Sequence, residues 1–198
     1  MADEDDYPAG ETEECREPTL KDLEEVCLHL NAQGARYVVV GGFAIRAAGL
    51  LRRTMDIDLL IETGVENETK VKAALMNLPD RAVEDLRPGE VAEQTVVRVA
   101  DEIMIDLMKS GCAVDYAEAI SDAERMQVGK ALIPFASPQT LWKMKQTVRE
   151  RDIPDRLFLR QKLAEMGTPV TEAPTPMFLP RWLEHLRQWL VRRLGGRP

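Results

Sequence analysis

Two aspartates one residue apart, Asp56 and Asp58, interrupt an apolar run that continues through Ile57, Leu59, Leu60 and Ile61. The run predicts a strand over residues 56–62, and on a strand residues i and i+2 point to one face. Both carboxylates then aim at one point among apolar neighbours, where unpaired charge is expensive. A bound cation is the simplest compensation. Upstream, Tyr37-Val38-Val39-Val40 reads as a buried strand, Gly41-Gly42 as its turn, and residues 43–48 as a short helix leading towards the aspartates.

Little else in the chain offers chemistry. Three cysteines, Cys15, Cys27 and Cys112, are scattered without CxxC spacing, and the two histidines, His29 and His185, lie far apart. That argues against a disulfide framework, structural zinc or a His-based zinc site. Hard-metal or acid–base chemistry falls to carboxylates, which suits magnesium. A 198-residue chain that is 44% apolar and 30% charged suits one soluble globular domain with a small appended element. No stretch approaches the roughly 18 apolar residues of a membrane span, and the acidic N-terminus is unlike a signal peptide, so the expected compartment is the cytoplasm.

The net charge of -8 hides a polarity. Residues 1–14 carry seven acids and no base, with Pro8 and Gly10, so residues 1–17 are expected to be a disordered acidic tail. Residues 167–179 read as a Pro/Thr linker. Residues 180–198 carry five arginines against Glu184 alone and are expected to form a basic amphipathic helix. Trp182, Leu183, Leu186, Trp189, Leu190, Val191 and Leu194 fall on one side, with Arg181, Arg187, Arg192 and Arg193 towards its flanks. Such a helix either folds back on the domain or docks a partner, anionic lipid or RNA phosphates.

Between the tails, Thr19 with Asp22 makes a capping box, and Leu20, Leu23, Val26, Cys27 and Leu30 give the first helix its stripe, with His29 off centre. A second amphipathic helix is expected over residues 68–78, with Val71, Ala74, Leu75 and Leu78 inward. Residues 79–93, broken by Pro88-Gly89, read as loop with one helical turn. Residues 95–99 and 103–108 read as a hairpin around Ala100-Asp101-Glu102. Its second strand carries Asp106 among Ile103, Met104, Ile105 and Leu107, a third carboxylate on an apolar strand. A short helix over 115–120 and a hairpin around Gly129-Lys130 follow. Ser137-Pro138 starts a helix through Leu141, Trp142, Met144 and Lys145. Another starts near Pro154, with Leu157, Leu159, Leu163 and Met166 as its apolar positions.

A strand, a Gly-Gly turn, a helix, an Asp-apolar-Asp strand and a later strand with a third Asp together resemble the nucleotidyltransferase superfamily, with its polymerase-beta-like core. More narrowly, Gly41-Gly42-x-Ala44, Gly49, Arg52-x-Thr54 and Asp56-Ile57-Asp58-Leu59 look like minimal nucleotidyltransferases of the abortive-infection, AbiEii-like toxin type. The likeness continues through Ile105-Asp106-Leu107, Tyr116-x-Glu118-Ala119 and Ser137-x-x-x-Leu141-x-x-x-Lys145, and ends near Arg151-Asp152-x-x-Asp155. It spans about residues 18–166. The resemblance implies an α+β fold with an α/β-like mixed sheet, a core over residues 18–136 and a C-terminal helical region over 137–166 packed on it. One position departs: where relatives often carry His before the second glycine, this chain has Ala48. A nucleotide contact made by that imidazole would be missing.

The resemblance further implies that Asp56, Asp58 and Asp106 hold magnesium, two ions with manganese as a substitute, for an in-line displacement at an α-phosphate. Asp106 would hold the catalytic ion and take the acceptor hydroxyl's proton. Gly41 and Gly42 would let backbone N–H groups approach the phosphates. Arg52 and Lys145 are candidates for countering the charge that builds on the leaving pyrophosphate. Thr54 would support the strand or a phosphate, and Arg151, Asp152 and Asp155 form either an ion-pair network or part of the site. The implied reaction moves an NMP from an NTP to a macromolecular acceptor, a tRNA 3′ end or a protein hydroxyl, with a cognate antitoxin as partner. Two alternatives stand beside it: an antibiotic nucleotidyltransferase, and a non-catalytic binding module acting through the C-terminal helix.

Overall fold

The structure is a computed structural model, and residues 15–170 are described. Residues 1–14, most of the expected linker and the expected basic helix with its tryptophans lie outside the described residues. Helix α1 (Leu20–Ala32) opens on the capping box at Thr19 and Asp22. Strand β1 (Tyr37–Val39), helix α2 (Gly41–Ala47), strand β2 (Asp56–Ile61) and helix α3 (Val65–Leu75) follow. After a 3-10 turn at Ala82–Asp85 and helix α4 (Glu90–Glu93) come strands β3 (Val96–Ala100) and β4 (Met104–Met108). A two-residue pair, β5 (Ser110–Gly111) and β6 (Val114–Asp115), leads into helix α5 (Tyr116–Ser121). Strands β7 (Glu124–Val128) and β8 (Ala131–Phe135) precede helix α6 (Pro138–Met144), a 3-10 turn at Glu150–Asp152 and helix α7 (Ile153–Glu165).

Six strands make one sheet in the order β3-β4-β2-β1-β8-β7. The pairs β2–β4 and β1–β8 are parallel and the others antiparallel, the mixed sheet of an α+β fold. Leu59, Leu60 and Ile61 are consecutive and all fully buried. Because successive strand residues face opposite sides, the sheet is covered on both faces there. At the start of β2 the alternation returns, with Ile57 buried and Asp56 and Asp58 only half-buried. One face of the sheet opens at that edge. The helical half joins the same core through Leu141, Trp142, Leu159 and Leu163.

Several boundaries differ from expectation for physical reasons. Residues 15–17, expected in the acidic tail, are tied down: Arg16 pairs with Asp22 and Glu102 and bridges Ile103. Leu20, 50% exposed, sits a turn before the buried stripe of α1 begins. In α7 the buried face is Asp155, Leu159 and Leu163, spaced by four. Leu157 is two residues from Leu159, on the opposite side, and Met166 lies just past the helix end, so both are exposed. Of the expected linker, Gly167 and Thr168 close α7, their N–H groups donating to the Ala164 and Leu163 carbonyls. Helix α3 begins three residues early, at a Gly64 cap with φ 137° that carries no capping side chain to announce it. The strands β5 and β6 are too short to leave a pattern in sequence.

The segment 79–93 has an organiser that is invisible to pattern reading. Glu68, fully buried on α3, accepts from the backbone N–H groups of Gly64 (3.0 Å), Gly89 (2.6 Å) and Val91 (3.1 Å). Three donors satisfy a carboxylate that would otherwise be prohibitive to bury. Glu68→Gln turns one acceptor into a donor facing N–H groups. We expect a loss of about 2–3 kcal/mol, seen as a Tm drop of about 4–10 °C and faster amide exchange across 79–93. An unchanged Tm would mean that the segment is held by other contacts.

Candidate active site

The opening at the start of β2 is where the three carboxylates meet. The parallel β2–β4 register sets Asp58 opposite Asp106, and Asp56 shares the face of Asp58 two residues away. Ligand oxygens of Asp56, Asp58 and Asp106 lie within 4.8 Å of one another. Burial pushes the Asp58 carboxyl up to about 7, reinforced by the charges of Asp56 and Asp106 and opposed by Lys145 and the Gly42 N–H. Three hard oxygen donors gathered this closely fit a hard divalent cation.

The glycine pair is needed first for packing. A Cβ on Gly41, whose φ is 60°, would fall 1.7 Å from the Asp58 Oδ2, and one on Gly42 would fall 2.1 Å from the Thr54 Oγ1. The Gly42 N–H donates to Asp58 at 3.4 Å. Thr54, 3% exposed, donates its hydroxyl towards the Asp56 carboxylate and carbonyl at 3.2 Å. Thr54 thereby braces the carboxylate strand.

Lys145 closes the end of α6 and pairs with Asp152 at 2.8 Å and Asp155 at 3.1 Å. The Arg52 guanidinium lies 3.6 Å from Asp155, which is 1% exposed and so sits buried between the two cations. The two contacts to Asp155 are ion pairs and not well-directed hydrogen bonds, since both Asp155 oxygens and the Arg52 Nε lack a hydrogen-bond partner, whereas the Lys145 ammonium donates a hydrogen bond to Asp152. Although burial opposes it, the Lys145 ammonium and the Thr147 hydroxyl hold Asp152 below the usual carboxylate range. The acidic pair of the helical half thereby positions the two cations beside the triad.

A cleft of about 450 Å³ takes in Gly41, Arg52, Thr54, Asp56, Asp58 and Lys145. Gly42 and Asp106 are not among its lining residues. Ala48 ends α2 as its C-cap, packed against the core and outside the cleft lining. Sequence reading missed Arg98, which faces Asp106 across the β3–β4 pair, and the exposed Arg149 at the cleft. The register of the hairpin holds the signal for Arg98. The turn is Asp101-Glu102-Ile103, one residue beyond the expected Ala100-Asp101-Glu102, and only that turn brings Arg98 opposite Asp106.

No family model and no curated protein matches the chain. Several solved structures resemble it, among them the following two. One is the antibiotic-resistance factor ANT(2'')-Ia, at 13% identity and a TM-score of 0.47, over 86% of this chain and 97% of that one. The other is an antigenic nucleotidyltransferase-like protein from Paracoccidioides brasiliensis, at 16% identity and a TM-score of 0.46, over 88% of each.

Proposed function

We propose that this chain is a nucleotidyltransferase that moves a nucleoside monophosphate from a nucleoside triphosphate to a hydroxyl acceptor, using magnesium or manganese held by Asp56, Asp58 and Asp106. The observation that carries the reading is the convergence of these three carboxylates, two of which, Asp56 and Asp58, line a cleft whose wall also presents Arg52 and Lys145. Bound divalent metal supplies the positive charge that an in-line displacement at the α-phosphate requires. In that displacement the acceptor oxygen bonds to the α-phosphorus as the bridge to the β-phosphate breaks, and pyrophosphate leaves. The hydroxyl proton passes to a carboxylate oxygen of Asp106. Arg52 and Lys145, held ready by Asp155, counter the charge accumulating on pyrophosphate.

Exposed Arg149 and Arg151 at the cleft favour an anionic acceptor, such as a tRNA 3′ end, over a polycationic antibiotic. Among the described residues no helix is long and apolar enough to cross a membrane. The toxin role belongs to the same proposal: induced expression would arrest growth, Asp58→Asn would not, and a neighbouring antitoxin gene would relieve the arrest.

The test is incubation with each α-labelled NTP, magnesium, and either total tRNA or protein lysate. Label should enter RNA, with Asp56→Ala and Asp58→Ala both silent. Label in protein alone would replace the RNA acceptor with a protein hydroxyl. If nothing is labelled and both variants bind nucleotide like wild type, the enzyme reading fails and a binding module remains.

A further inference from the structure

We propose that Arg98 is a latch on the third carboxylate, withholding Asp106 from metal until the Asp56–Asp58 pair is loaded. The inference rests on the metal site proposed above and assigns it an order of filling. Asp58, Asp106 and Arg98 form one row across β2, β4 and β3, so all three side chains share the face that carries the site. Arg98 grips Asp106 with both arms of its fork: the Nε–H donates to Oδ1 at 2.8 Å and an Nη–H donates to Oδ2 at 2.9 Å. Both oxygens that a cation would use are thereby engaged by a cation already.

The cleft reflects this. It is lined by Asp56 and Asp58 but not by Asp106, whose side chain is 10% exposed beneath an Arg98 that is 58% exposed. The asymmetry makes the pair releasable from one side only. Strand β3 is at the edge of the sheet, so the arginine can turn to water, whereas Asp106 is fixed between neighbouring strands. A guanidinium and a divalent ion cannot share the same two oxygens without repulsion at close range. Metal at Asp106 therefore has to displace the latch, while metal on Asp56 and Asp58 does not. Arg98 acts through Asp106 and is a positioning residue. The planar fork matters as much as the charge, because a lysine cannot hold both oxygens at once.

Manganese binding to the full-length protein, followed by calorimetry and by electron paramagnetic resonance, separates the outcomes. Wild type should show two binding events, the second weaker. Arg98→Gln should leave the first unchanged and tighten the second by about tenfold. Arg98→Lys should tighten it less, and it decides the matter if the Gln variant does not fold. Asp106→Asn should remove the second event and keep the first. An Arg98 variant whose second event is unchanged or weaker overturns the latch while leaving the metal site standing. Wild type that binds no manganese in an Asp58-dependent way overturns the metal site, and the latch with it.

Discussion

Asp58→Asn should abolish nucleotidyl transfer, by at least about a thousandfold, and at the same time raise the Tm of the metal-free protein above neutral pH. The two effects share one cause. In the folded protein burial and the neighbouring carboxylates raise the Asp58 carboxyl to about 7, against an ordinary value of 3.8. A carboxyl with a raised folded-state pKa favours the fold while it is protonated. That contribution is complete below about pH 4 and is lost as pH rises through about 7. Asparagine keeps the shape and an acceptor for the Gly42 N–H but carries no charge, so the loss disappears. The gain should read as a few degrees at pH 8, at about 2–4 °C per kcal/mol relieved, and as nothing near pH 4.

Magnesium should do for wild type at pH 8 what the substitution does. Its thermal stabilisation should shrink as pH falls below about 7, because the ion must then displace a proton from Asp58. Differential scanning fluorimetry of both proteins from pH 4 to 8, with and without magnesium, measures all of this. A variant as pH-sensitive as wild type would show that the triad is not crowded in the way its geometry requires.

Gly41→Ala should be the most damaging added methyl group among the described glycines. Its Cβ would fall 1.7 Å from the Asp58 Oδ2 and 2.3 Å from its Cγ, on a backbone whose φ of 60° already disfavours any side chain. We expect about 3 kcal/mol or more of lost stability, from roughly 1–2 for the left-handed backbone and the rest from the clash. Asp58 would also be turned out of the triad, so Asp58-dependent manganese binding should vanish. The double variant Gly41→Ala, Asp58→Gly relieves the clash but not the backbone strain, and should recover part of the Tm with none of the activity. Wild-type stability and metal affinity in the single variant would contradict the close approach.

Much of this site was legible because its parts are local. Asp56 and Asp58 lie on one strand, so a period of two is enough to say that they converge. Asp106 betrayed itself as a charge in an apolar run, and Ser137-Pro138 announced α6 by capping chemistry alone, with the Ser137 hydroxyl accepting from the Thr140 N–H. Lys145 then falls at the end of that helix.

What the sequence determined by itself is thus the mixed αβ character of the chain and the identity of its three carboxylates, because burying apolar faces leaves those charges nowhere else to go. What only the tertiary structure decided is how they are compensated. A one-residue difference in a hairpin turn sets Arg98 on Asp106, and that turn is held from outside the hairpin, by Asp101 accepting from the Asp80 and Ala82 N–H groups. The need for Gly41 likewise comes from a carboxylate seventeen positions away, and the readiness of Lys145 and Arg52 from Asp155 buried on another helix. Register and packing between distant segments have no local period, so these contacts exist only once the sheet has formed.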